Sequence, residues 1–535
     1  MARSLCAGSI TTYSLYAPRF LTRLHYTQLQ VNGISIAAEV GLYLLVPFFG
    51  YLCDRYSPRP LSLLSSVLFG FGYLLAAFVY RAGPPPSDSS PDGHGFPCEL
   101  MAIAFVAIGA GTSCMYLSGV ATCAKNSCKS KHGGLILAFP IAAFGLSGMW
   151  QSQIGAHLLQ EPSPAGDQAV LDVFRYFLFL GILLMLVGLL GTFGLTIVNE
   201  DELIERGWEE AERSGLLESS DMFDAQGEIR HHYGTIENAE DPPTGRPGAE
   251  MDDSVHSKQK PDGKDVSLRL KKVWLLNHET RSFLSDGSMW LLAAGFFLVT
   301  GPGEAYINNV GTIIETLTPR IWSGPPPAGE ISTHVSLIAV TSTVARLFTG
   351  FMVDVFTPRS SHSASSRISN NRPSNQMQVS RMVFLLPSAF LLCIGYLTMS
   401  ILPLLPAADT DPSFLLATSA LVGFGYGACF SLVPLLISVV WGVGNFATNW
   451  GIVAIMPAPG AALWSVVYSL GYAAAMRKGN GQAGDGDNGK EGESGQCHSS
   501  RCFAGWAWGC AGSVALATLL WGFAWRIWKR RGVVV

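Results

Sequence analysis

The feature that most constrains this chain is a recurring apolar run of about twenty residues, repeated between short charged intervals. As a helix, such a run matches a bilayer's hydrocarbon core of about 30 Å. Runs of this kind can be read at 2–17, 31–52, 61–80, 100–121, 134–158 and 174–198. After a long polar interval they resume at 289–311, 331–356, 382–405, 414–439, 446–475 and 503–525. Lipid offers no partner to an unpaired backbone N–H or C=O, so each run is expected to be a helix. The fold class that follows is an all-α membrane protein of about twelve transmembrane helices, split six and six. The composition agrees: 49% of residues are hydrophobic and 14% charged, where soluble chains carry about 25% charged. A net charge of −4 gives no basic surface for nucleic acid. The partner that the composition implies is the lipid bilayer.

The polar interval is different in kind. Residues 199–285 are rich in Asp, Glu, Lys, Arg, Gly and Pro and poor in aromatic and branched residues. Such a segment cannot bury enough apolar area to fold alone, though 201–213 can extend as a short charged helix. The expected organisation is therefore an N-terminal six-helix bundle (1–198), a largely disordered cytosolic loop (199–285) and a C-terminal six-helix bundle with a short tail (286–535).

Orientation follows from basic residues in short loops. Arg55, Arg59, Lys125, Lys129, Lys131, Arg359, Arg367, Arg372, Arg381, Lys529, Arg530 and Arg531 fall on one side. The other side carries Asp88, Asp92, Glu161, Asp167, Asp409 and Asp411, with Arg19, Arg23, Arg477 and Lys478 against the rule. Both termini and the long loop are expected in the cytosol. The first run is short for a span and holds no Leu-rich centre of a signal peptide. Either Arg3 is its interfacial end or further residues precede it, and the second is expected. Of the 11 cysteines, Cys98, Cys497 and Cys502 fall in non-cytosolic loops. A bridge among them and unpaired thiols are both open readings.

An internal repeat supports two related halves. Gly50, Asp54, Pro58 and Arg59 recur as Gly350, Asp354, Pro358 and Arg359 at a constant offset of 300. Each copy closes the second apolar run of its half, as parallel-repeat transporters would have it. With Arg55, the first copy resembles the Gly-x-x-x-Asp-Arg loop motif of the major facilitator superfamily. That resemblance implies a packing and gating role for these residues, with the Gly allowing close helix contact. Gly301-Pro302-Gly303-Glu304, Asn308-Asn309, Gly145-Leu-Ser-Gly148 and Asn445-Phe-Ala-Thr-Asn449 are similar to segments of nodulin-like and monocarboxylate-porter relatives. The opening around Gly8, Tyr13 and Tyr16, and Ala38-Glu39, resemble the fungal monocarboxylate-transporter-homologue family. The resemblance covers nearly the whole chain outside the central loop. It implies a secondary transporter of internal membranes, the vacuole first and the plasma membrane as the alternative.

An ionisable side chain at membrane depth costs about 2.5–3.5 kcal/mol on insertion scales, so it is a site candidate by default. Glu39, Glu304 and Arg346 qualify. The repeat offset puts Ala339 opposite Glu39 and Val46 opposite Arg346, so the fold manages without either charge. Glu304 follows Gly301-Pro302-Gly303, where a local unwinding of the helix is expected. Val344-Ala345-Arg346 resembles the porters' carboxylate-binding Arg, but the Asp expected four residues earlier is Ser342. The blander readings are that Arg346 pairs with Asp354 or with helix-end carbonyls, and that Glu304 caps a broken helix.

Asn308, Asn309, Asn449, Tyr13 and Tyr16 are further substrate-binding candidates, although packing hydrogen bonds account for such Asn residues about as often. The Gly109/Gly111 and Gly423/Gly425/Gly427 runs read as close helix packing. No catalytic nucleophile, cofactor motif or metal spacing stands out, so an enzyme is not expected. The functional expectation is a monomeric carrier for a small solute, an organic anion, with proton coupling through Glu39 or Glu304. Desolvation disfavours a charged carboxyl at that depth, and protonation removes the charge. The rival is a non-transporting membrane sensor on the same scaffold, with the central loop as its signalling part.

Overall fold

A computed structural model of the chain describes residues 2–56, 58–85, 95–127, 133–162, 169–195, 278–321, 328–356, 379–402, 412–442, 446–482, 497 and 501–533. The first apolar run is jointed: α1 (Ala2–Ala7), a 3-10 turn (Ser9–Thr12) and α2 (Tyr13–Arg23). The second comprises α3 (Gln28–Glu39), a π turn (Val40–Leu44) and α4 (Val46–Tyr56). Then come α5 (Pro58–Ala82), α6 (Cys98–Ser127), α7 (Gly133–Leu158) and α8 (Val173–Gly194). The second half has α9 (His278–Ser285), α10 (Gly287–Ile321), α11 (Ala328–Phe356), α12 (Met382–Ile401) and α13 (Pro412–Val440). It closes with α14 (Phe446–Val453), α15 (Pro457–Gln482) and α16 (Arg501–Arg530).

Ten helices among the described residues are long and apolar enough to cross a membrane. The other two expected runs are the jointed α1–α2 and α7. Leu63, Val67, Phe71, Leu74 and Phe78 of α5 are all exposed. Their spacing of three and four residues makes one apolar stripe, as suits a helix facing lipid. The buried apolar residues form two main cores. One runs from Ala7 to Leu184 around Tyr16, Phe20, Phe105 and Phe177, the other from Phe283 to Trp528 around Tyr306, Tyr396, Trp521 and Trp528. Each core belongs to one half of the chain, giving two helical bundles.

Local chemistry sets several boundaries. Thr27 caps α3 reciprocally with Gln30: the Gln30 amide donates to Thr27 Oγ1, and the Thr27 amide to Gln30 Oε1 at 2.9 Å. Pro47 lacks the N–H that Tyr43's carbonyl would meet in an α-helix, and a π turn precedes it. A short antiparallel hairpin, β1 (Gln160–Pro162) with β2 (Ala169–Leu171), joins α7 to α8. It was not foreseen. Cys497 and Cys502 form a disulfide between α15 and α16, while Cys98 is free.

Two sequence expectations are modified. The helix does not unwind at Gly301–Gly303, because α10 continues through it. Pro302 removes the donor for the Leu298 carbonyl, and the Ser513 hydroxyl of α16 supplies one at 2.8 Å. The flanking glycines serve packing instead. A side chain at Gly301 would meet the Gly460 backbone of α15 at 2.6 Å, and one at Gly303 would strike the Tyr426 ring. Secondly, the interval 199–285 ends in an ordered helix, α9, whereas residues 199–277 lie outside the described residues.

Candidate functional site

Three zones can be followed along α3, α4, α10 and α11, with α10 running opposite to α3. The first zone is a polar seam near the hairpin end. Gln28 Nε2 donates to Asn309 Oδ1 at 3.0 Å. Asn32 Nδ2 donates to Ser469 Oγ at 2.8 Å and to the Ser465 carbonyl at 2.9 Å. Gln153 Nε2 donates to Ser336 Oγ at 2.8 Å, again joining the first half to the second. Close by, a side chain at Gly311 would run into the Ser14 carbonyl. Gln28 Oε1, Asn32 Oδ1 and Ser465 Oγ are buried without a hydrogen-bond partner among the described residues.

The second zone is crosswise and charged. Asn308 Nδ2 donates to Glu39 Oε1 at 2.5 Å. Tyr43 OH donates to Glu304 Oε1 at 2.5 Å, and Tyr426 OH donates to the same oxygen at 2.5 Å. Asn308 lies one helical turn beyond Glu304, and Tyr43 one turn beyond Glu39, so each carboxylate is held by its counterpart's neighbour. Glu39 is 3% exposed, and its Oε2 is buried without a partner.

Beside these residues lies a cavity of about 640 Å³ including its open mouth. Its polar lining is Thr11, Tyr43, Glu304, Ser342, Arg346 and Tyr426, set among Ile10, Leu42, Phe144, Ile307, Val335 and Ile338. Arg346 Nη1 donates to the Ile141 carbonyl at 3.3 Å, and its guanidinium stands 5.9 Å from the Phe430 ring centre. Arg346 Nε is buried and unpartnered. Among the described ion pairs, none joins Arg346 to Glu304.

The third zone holds the repeated motif. Among the described residues, nothing lies within 4 Å of a side chain built at Gly50 or Gly350. Arg59 Nε donates to the Leu195 carbonyl at 2.8 Å, tying α5 to the end of α8. The side chains of Asp54, Arg55 and Asp354, and all of Arg359, lie outside the described residues.

The structure thus brings Glu304 and Arg346 to one cavity, with Glu39 and Asn308 bonded to each other beside it. Asn309 faces the seam. Tyr13 and Tyr16 pack edge-on in the N-terminal aromatic core, where Tyr13 OH donates to the Val31 carbonyl at 2.6 Å. Asn449 is buried on α14 and does not line the cavity. Sequence reasoning missed Tyr43 and Tyr426. Tyr43 carried a signal, being one turn from Glu39, whereas Tyr426 sits in a glycine run that reads as packing.

Comparison with known proteins matches the family model "Major Facilitator Superfamily" to residues 1–465. "Probable transporter mch1" of Aspergillus fumigatus is 54% identical over 547 residues, covering 99% of this chain and 85% of that one. The Neurospora crassa protein of the same name is 45% identical over 553 residues, covering 99% and 89%. Among solved structures, the inward open xylose transporter XylE from E. coli aligns with a TM-score of 0.57 at 11% identity, covering 97% of this chain and 93% of that chain. A bacterial homologue of the human lysosomal transporter Spinster, inward-facing and occupied, gives 0.56 at 12%, covering 98% and 94%. These structural likenesses bear on the fold.

Proposed function

Because this chain belongs to the major facilitator superfamily, we propose that it is a secondary active carrier that moves a small organic anion by alternating access. The observation that carries this reading is the cavity between the bundles with Arg346 on its wall. A guanidinium stays charged in a low-dielectric site and offers a fork of donors to a carboxylate. Arg346 spends one Nη1 donor on the Ile141 carbonyl, and its Nη2 makes no hydrogen bond to the described residues, so it has donors left for a solute.

Glu39 is the coupling site in this reading. Its buried Oε2 has no donor beside it, and a proton there removes a charge that burial makes costly. The neutral carboxyl then crosses the occluded state that the charged form resists. An acidic compartment such as the vacuole lumen supplies the gradient, and the chain works as a monomer. The division into bundles at 1–198 and 286–535 around a cytosolic loop at 199–285 belongs to the same proposal. So does the placement of both termini in the cytosol. The disulfide Cys497–Cys502 supports that orientation, because bridges persist on the non-cytosolic side of such membranes.

The test is uptake of radiolabelled carboxylates into proteoliposomes under an imposed pH gradient. Wild type is expected to accumulate solute, while Glu39→Gln exchanges solute but loses gradient-driven accumulation. A Glu39→Gln protein that accumulates as wild type does removes Glu39 from the coupling role. Failure of the wild type to move any carboxylate overturns the carrier reading in favour of a sensor.

A further inference from the structure

The cavity holds two opposite charges that make no direct ion pair among the described residues. Glu304 is fixed by two tyrosine hydroxyls on one oxygen, and its Oε2 takes no hydrogen bond from the described residues. Arg346 is fixed by the Ile141 carbonyl and the Phe430 ring, with Nε left unpaired. In a site walled by Ile307, Val335 and Ile338, a purely structural ion pair gains most when its members touch, because attraction rises as distance and dielectric fall. Here each charge is instead anchored separately, and each keeps free capacity.

From this arrangement we infer that the solute is dipolar: an amino acid whose carboxylate sits on Arg346 and whose ammonium sits on Glu304, with an apolar side group against the aliphatic wall. A simple monoanion satisfies Arg346 but leaves the Glu304 carboxylate facing an apolar ligand in a desolvated site. A zwitterion pairs both wall charges and enters without net charge. Tyr43 and Tyr426 add to the cation's end, since their hydroxyl donation orients the Glu304 carboxylate. Glu304 is thereby a specificity residue, distinct from Glu39 with its Asn308 partner. The inference rests on the reading of Arg346 as the carboxylate anchor and replaces that reading's simple anion with a zwitterion.

The test is calorimetric binding to the purified full chain. The probes are leucine, phenylalanine and 6-aminohexanoate, each beside its deaminated acid and its decarboxylated amine. At least one amino acid is expected to bind about tenfold or more tighter than both of its truncated analogues, since each analogue leaves one wall charge unpaired. Glu304→Gln keeps the acceptor for both tyrosines, and it is expected to erase the preference over the deaminated acid while that acid's own affinity holds. Equal binding of acid and amino acid by the wild type overturns the dipolar solute yet leaves the anion anchor standing. Absence of binding by all three amino acids overturns it too. Arg346→Lys separates the two ideas: it should weaken amino acid and acid together, and undiminished binding of both removes the anchor and the inference with it.

Discussion

Asp286 accepts hydrogen bonds from three parts of the chain: the Ser288 amide at 3.0 Å, Trp441 Nε1 at 3.1 Å and Arg531 Nη1 at 3.0 Å. It therefore caps α10 while tying it to the ends of α13 and α16. Burial alone would raise its carboxyl, but the Ser288 amide and the Arg531 guanidinium outweigh burial and hold it below the ordinary carboxylate range. A lowered folded value means that the stabilisation is present above the unfolded value of about 3.9 and is lost as pH falls through the folded one. Wild type should thus exceed Asp286→Asn in thermal midpoint near neutral pH, and the gap should close below about pH 4. A gap that stays constant from neutral to acid pH would contradict this. At the same scale, Glu39, Glu304 and Arg346 were legible because a charge in an apolar run is conspicuous. Their partners were not, because Tyr43 and Tyr426 look like ordinary aromatic residues of a span. Tyr13 and Tyr16 show the converse: polar atoms at cavity depth in sequence, yet core in the fold.

Among the elements, α10 is the one where local signals and tertiary structure disagree. Gly301-Pro302-Gly303 reads as a break, and in isolation it would be one. The compensating hydroxyl of Ser513 lies 215 residues from Leu298 in the chain, out of reach of any local pattern. Ser513→Ala should leave the half-buried Leu298 carbonyl unpaired and cost about 1–3 kcal/mol of stability. Adding Pro302→Ala restores an N–H at the right place, so the double variant should recover most of that loss. Thermal unfolding of the four proteins in one detergent checks this, and a Ser513→Ala midpoint equal to wild type would refute it. The unbroken passage through Pro302 matters for the site, because it keeps Glu304 and Asn308 on one face at one-turn spacing.

For the whole molecule, the sequence conveyed the spans and the repeat, because lipid allows few alternatives. It did not convey which polar residues meet across the two halves, since such pairs have no periodicity. Asn32, Ser465 and Ser469 join the halves near one end, while at the other no described residue lies within 4 Å of a side chain built at Gly50 or Gly350. On the alternating-access reading, the seam is a shut gate. An oxidised pair made by Asn32→Cys with Ser469→Cys should stop transport, and reduction should restore it. Full transport with the bridge formed would rule the gate out. The three seam atoms that lack partners have a consequence of their own. They gain hydration each time the gate parts and give it up each time it shuts. On the alternating-access reading, every turnover draws water in and expels it, so a concentrated excluded osmolyte such as sucrose favours the shut state. On that same reading the carrier is also an osmotic device, its cycle slowed where water activity is low.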